Sequence, residues 1–236
     1  MKSKLMASFL LLSSILSQQV IASEKDVYQF SWLDPDKEVY VLQNRKFRKE
    51  GHLYLNAGGG ITTSGAFVDS TSIQARIGFF VTENFGLEGL YSKNNGKEND
   101  TAKAVRGTGT GGSGTTPFRR IIDSYYGAMI LWSPFYSKIN TFNSIVYMDW
   151  IFGVGYSQIK EKNNKLAFEN SILKDQETLE SHNGLIWEAG LKFYLDTSFS
   201  IRTDLTAFHY SANNIAIAGT SLKSNFDATA SLGYTF

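Results

Sequence analysis

From His52 to the last residue, short segments alternate apolar with polar or small residues at every second position. The final segment is the cleanest. Phe226, Ala228, Ala230, Leu232, Tyr234 and Phe236 alternate with Asp227, Thr229, Ser231, Gly233 and Thr235. In a strand, successive side chains point to opposite faces, so this segment carries one apolar face and one polar face. Six others repeat the pattern: Leu53 to Ile61, Ile73 to Val81, Phe85 to Tyr91, Val146 to Tyr156, Leu185 to Leu195 and Phe199 to Ala207. An eighth, Ser124 to Trp132, is apolar on both parities and cannot be phased. Each approaches the ~9–11 residues that cross a bilayer as a tilted strand.

Soluble sandwiches also alternate, so the intervals decide. Thr82 to Asn84 and Asp196 to Ser198 are short; Lys93 to Arg120 and Ile159 to Asn183 are long. Short turns at one end and long loops at the other, with an even strand number, are the outer-membrane pattern. The middle turn, Ser133 to Asn143, is longer than that pattern requires. The expected fold class is all-β: an eight-stranded antiparallel transmembrane β-barrel with a short periplasmic N-terminal segment.

The N-terminus fits export. Lys2 and Lys4 precede the apolar run Leu5 to Leu16, and Val20 and Ala22 form a small-residue cleavage site. The run is shorter than the ~20 residues of a spanning helix. The expected division is therefore a signal peptide over 1–22 (a cut after Ser23 is the alternative), a periplasmic segment over 23–50 and the barrel over 51–236. The net charge is +1, which gives no electrostatic case for nucleic acid. The absence of cysteine removes disulfides, thiolate metal sites, cysteine nucleophiles and a lipid anchor on cysteine.

On the strand phase, Arg76, Glu88, Asp149, Glu188, Lys192, Arg202 and Asp204 point into the barrel. Mixed charges inside so narrow a lumen read as a salt-bridge network, with a gated ion path as the alternative. Leu191 should face lipid, where an arginine costs ~2–4 kcal/mol, and Thr206 the polar interior, where it should cost much less. Leu232, Tyr234 and Phe236 end the chain on an alternating strand, similar to the signature read by the outer-membrane assembly machinery. Outside the strands, Gly107 to Gly114 is a glycine-rich tract that fits no phosphate loop, and Lys160 to Ser181 reads as a charged loop with room for a short helix. His209 and Ser211 share the lipid-facing parity, similar to lipid A deacylases, but no glutamate follows Glu188 to complete a triad. The three histidines are scattered and Asp34-Pro35-Asp36 lacks calcium-loop spacing, so the sequence marks no metal site, no cofactor and no catalytic residue.

The segment before the barrel is unlike a disordered tail. Trp32, Leu33, Val39, Tyr40, Val41 and Leu42 offer apolar area for docking, on the barrel rim or on a periplasmic or envelope protein partner. Arg45, Lys46, Arg48 and Lys49 follow, where each cation near anionic head groups is worth ~1 kcal/mol. Phe30 to Arg45, with the glycine-rich first strand, resembles the outer-membrane β-barrel domain family of the myxobacterial and predatory-bacterial type. Pro134 to Lys138 and Tyr147 to Tyr156 resemble its central hairpin. The resemblance implies an eight-stranded barrel and no catalytic residues. The resulting expectation is a non-enzymatic barrel among outer-membrane lipids, structural, adhesive or docking in role; a narrow pore comes second and a lipid-modifying enzyme third.

Overall fold

A computed structural model describes residues 45–107, 117–141, 144–166, 177–213 and 219–236. They form nine strands and one helix: β1 (Leu53–Thr63), β2 (Val68–Phe80), β3 (Phe85–Glu98), α1 (Asp100–Gly107), β4 (Arg120–Trp132), β5 (Tyr136–Thr141), β6 (Ser144–Asn163), β7 (Thr178–Tyr194), β8 (Phe199–Asn213) and β9 (Thr220–Thr235). The sheet order is β4-β3-β2-β1-β9-β8-β7-β6-β5, and β4 also pairs with β6. That last pairing closes eight strands into an antiparallel barrel, with β5 outside the ring.

Alternation dictates which residues fill it. Along β2, Ser70, Ser72, Gln74 and Arg76 are buried while Ile73 and Ile77 are exposed. Every barrel strand places leucine, isoleucine or valine on the outside. Leu55, Ile77, Leu87, Ile130, Val154, Leu185, Leu205 and Leu232 are 42% to 66% exposed. Such a continuous apolar exterior around charged interior groups is stable when the outer medium is hydrocarbon. The chain is a transmembrane β-barrel.

The two short turns are built alike. The Thr82 hydroxyl accepts the backbone N–H of Phe85 at 3.0 Å, and the Asp196 carboxylate accepts those of Ser198 and Phe199 at 2.7 Å. At the C-terminus, Phe236 N donates to Leu53 O at 2.9 Å, stitching the last residue to the first strand.

The long middle turn has a cause. β4 ends at Trp132, opposite Phe152, but β6 begins eight residues earlier in the chain, at Ser144. β5 pairs with that overhang, from Tyr136↔Asp149 to Thr141↔Ser144. The unphased strand has a cause too. A bulge between Ile122 and Ser124 shifts the parity of β4. Ile122 points inward above it, and Tyr125, Met129 and Leu131 point inward below it.

Two expected loops shrink. β6 and β7 stay paired out to Asn163↔Thr178, so much of Ile159 to Asn183 is strand. β3 runs to Glu98, and α1 follows, its N-terminus capped by the Asn99 side chain accepting from Ala102 N at 3.0 Å. β7 has 17 residues, well over the ~9–11 of a bilayer crossing, and ends at the short turn beside Asp196, so the sheet projects beyond the membrane at the loop end. Most of the glycine tract, from residue 108 on, lies outside the described residues.

Candidate functional site

Five of the inward charges meet at one level of the lumen. Arg76 Nη1 contacts Glu88 Oε1 at 2.7 Å and also bonds Glu188. Arg202 reaches Glu88 Oε2 and Glu188 Oε1 at 2.6 Å each and Asp204 Oδ1 at 2.7 Å. Each glutamate thus bridges both guanidiniums. Arg76 and Glu88 stand on β2 and β3, and Glu188, Arg202 and Asp204 on β7 and β8. The cluster therefore spans the lumen between strands that β1 and β9 separate. These ionic side chains are 0% to 1% exposed, so no water column passes beside them.

Neighbours hold the brace in place. Tyr54 donates to Glu88, and Thr206 Oγ1 accepts from Arg76 Nη2 at 2.9 Å. Gln74 Oε1 accepts from Arg76 Nη2 at 3.0 Å, while its amide nitrogen donates to Asp227 at 2.7 Å. Asp227 also accepts from Ser72 and Tyr125, each at 2.8 Å, making a second layer above the first. Glycine makes room: a Cβ on Gly78 would overlap the Tyr54 ring, and one on Gly190 would overlap the Asp204 carboxylate. The side facing β3, β4 and β6 is apolar, with Leu90, Met129, Leu131 and Ile151 buried.

Asp149 and Lys192 stand apart from this cluster, at the turn-end mouth. Asp149 takes the Lys49 ammonium at 3.0 Å and the Tyr194 hydroxyl. Lys192 Nζ sits 5.1 Å from the ring centres of Tyr54 and Tyr194. Lys49 comes from the segment before β1, and it also donates to Ser133 at 2.6 Å. Burial pulls its ammonium below the ordinary lysine value, with Asp149 opposing. Phe47 stacks on Tyr194 at 4.7 Å, and Arg45 pairs with Glu83 at 3.1 Å. Residues 45–50 thus lie across the mouth as a plug, and residues 45–49 with Tyr54, Lys192 and Thr235 line a cavity of about 410 Å³.

This corrects the reading of the basic cluster. Arg45 and Lys49 turn to carboxylates of the barrel itself rather than to lipid head groups, because Glu83 and Asp149 wait at the rim. Lys46 and Arg48 remain exposed. The candidate docking residues Trp32, Leu33, Val39, Tyr40, Val41 and Leu42 lie outside the described residues, as does the expected signal peptide over 1–22. Replacing Lys49 with methionine should cost about 1–3 kcal/mol by leaving Asp149 short of a partner. Amide exchange should then rise from Phe47 to Glu50 and stay unchanged in β7 and β8. Unchanged exchange in the plug would mean that the ion pair does not hold it.

No protein family model matches the sequence, and no curated protein matches it. Among solved structures, the chain is similar to the N-terminal β-barrel domain of Pseudomonas aeruginosa OprF, at 14% identity and TM-score 0.46, covering 79% of this chain and 98% of that one. It is similar to Neisserial surface protein A at 10% identity and TM-score 0.47, covering 78% and 96%. It is also similar to Ail, the attachment invasion locus protein of Yersinia pestis, at 13% identity and TM-score 0.41, covering 79% and 99%. Identities this low concern fold alone. Nothing among them points to the myxobacterial type.

On the outer surface, His209 does not engage Ser211. Its Nε2 accepts from the Trp187 indole at 2.9 Å, so Nδ1 carries the proton toward Ser224 Oγ at 2.8 Å. That tautomer leaves no lone pair to activate a serine. Asp227, the only acid later in the chain, is buried in the lumen and bonded there. Leu232, Tyr234 and Phe236 line the exterior of β9, with Tyr234 edge-on to Phe199 at 5.2 Å.

The parity of the strands marked the charged residues but not their partners. Tyr54, Gln74 and Tyr125 carry no charge, so nothing in the sequence sets them apart from other polar residues on the inner face. Lys49 lies before the first alternating segment and had no phase to read.

Proposed function

We propose that this chain is an outer-membrane barrel that neither conducts nor catalyses, and that acts through its two ends. The observation carrying the reading is the braced lumen. Arg76, Glu88, Glu188 and Arg202 cross it with almost no accessible surface, and residues 45–50 cover the turn-end mouth. A chain committed to transport would leave its inner charges wet.

The signal peptide that the sequence leads one to expect over 1–22 supports export. The terminal Leu232, Tyr234 and Phe236 suit recognition by the outer-membrane assembly machinery. With that orientation, the projecting strands face outward and the N-terminal arm faces the periplasm, giving an adhesive or structural surface above and a docking arm below. The finer assignment to the myxobacterial and predatory-bacterial type rests on the sequence resemblance.

Planar-bilayer recording on the refolded protein tests the closed lumen. The wild type should add no steady conductance above the lipid baseline at moderate voltage. Sustained open steps in the wild type would end this reading in favour of a pore.

A further inference from the structure

At the loop end, the register of β6 and β7 assembles a group that the sequence spacing hides. Glu161 pairs directly with Glu180, and His182 follows two residues later on the same face. One ligating atom from each lies within 4.8 Å of the other two. We propose that Glu161, Glu180 and His182 bind one divalent transition-metal ion, with Zn2+ as the fitting species.

The histidine is free to ligate. His182 Nε2 is buried and makes no hydrogen bond, although Glu180 Oε2 stands 3.4 Å away. Its ring stacks on Tyr210, with centres 5.1 Å apart, which fixes its orientation. The other two histidines are committed. His209 uses both ring nitrogens, and His52 Nδ1 is bonded to Phe236 O at 2.6 Å.

Glu161 is held by an outer shell of the kind that orients metal ligands. Tyr210 donates to Oε2 at 2.6 Å, Asn163 donates to Oε1 at 3.2 Å, and Arg120 stands 3.3 Å from the carboxylate. Each carboxylate oxygen has two lone pairs, so these bonds leave one for a metal. Donor atoms of a tetrahedral zinc site lie roughly 3.4 Å apart, given bonds of ~2.0–2.1 Å. The Glu180 side chain, 22% exposed, can turn to close the remaining distance.

Charge favours a cation. Arg119 bonds Glu98 and Glu177, and Arg120 bonds Glu161, so with Glu180 the described residues of this mouth hold four carboxylates against two guanidiniums and the Lys223 ammonium. The donor set selects the ion. One imidazole with two carboxylates suits Zn2+, whereas Ca2+ and Mg2+ prefer six or more oxygens. Three protein ligands leave a coordination position open to water or to a surface ligand.

Calorimetry on untagged, metal-stripped protein refolded in detergent tests the site. One Zn2+ per chain should bind saturably, and Ca2+ should not compete. His182→Ala should weaken binding by more than the roughly 10–100-fold that an outer-shell change costs. His209→Ala should leave binding unchanged. The gel mobility difference between boiled and unboiled samples reports that each variant is folded. Glu180→Gln carries the test if His182→Ala does not fold. Absence of saturable zinc binding overturns the proposal, as does binding that survives both substitutions, which would leave His182 and Glu180 as a simple ion pair.

Discussion

Arg202→Ala should lower barrel stability by about 3–5 kcal/mol, a larger loss than any surface charge in this chain could cause. Arg202 is fully buried and holds three carboxylates at 2.6 to 2.7 Å. The brace has two guanidiniums and three carboxylates, a net charge of −1. Removing Arg202 leaves Glu88, Glu188 and Asp204 sharing Arg76, a net charge of −2 among fully buried side chains. The attraction between buried partners is largely offset by their desolvation while the set is complete. The cost appears when one partner is deleted. A companion change separates charge from volume. Arg202→Met with Glu188→Gln returns the net charge to −1 and keeps most of the packing, so it should recover at least half of the loss. The readout is the urea midpoint of the gel mobility shift between folded and unfolded protein. A loss below about 1 kcal/mol is the behaviour of an exposed pair, and it would show that water reaches the brace.

The barrel was legible where one face of a strand is apolar and the other is not. β9 from Phe226 onward and β2 from Ile73 to Phe79 satisfy that, and those stretches could be phased residue by residue. β4 could not, for two physical reasons. The bulge at Asp123 changes its parity midway, and Tyr125, Met129 and Leu131 make its inner face as apolar as its outer one. The long middle turn hid β5 because Tyr136 to Thr141 is only six residues and pairs on one side only. The loop boundaries were placed too low because alternation weakens where the sheet leaves the membrane. Beyond Ile159 the outer face meets water, so lysines replace leucines while the backbone pairing continues. Partners across the lumen were not legible at all. Arg76 and Glu188 are far apart in sequence, and only closure of the ring brings them together. The same holds for Glu161 and His182, whose proximity depends on the register of two extended strands.

Thr206→Arg should destabilise the barrel at least as much as Leu191→Arg, reversing the order that strand parity suggests. Leu191 lies four residues from Trp187 on β7 and opposite Thr203, itself four residues from Phe199, so it sits near mid-depth on the lipid face. An arginine there costs about 2–4 kcal/mol. Parity places Thr206 on the polar face, where a wide lumen would accept a charge cheaply. This lumen is filled. Thr206 is 0% exposed, and its hydroxyl holds Arg76 Nη2 at 2.9 Å. A longer side chain must displace neighbours in a close-packed space, which costs about 1–3 kcal/mol. Losing a hydrogen bond to a charged group costs about 1.5–3 kcal/mol more. The surplus negative charge of the brace offsets part of this, but Asp204 and Glu188 are already fixed by Arg202 and cannot turn to a newcomer without releasing it. Thr206→Val keeps the volume and removes the hydroxyl, so it should cost only the hydrogen-bond part. Urea midpoints of the three variants in one detergent decide the matter. If Thr206→Arg is close to wild type while Leu191→Arg is not, the interior has room for a solvated charge, and the closed lumen on which the functional reading rests is wrong.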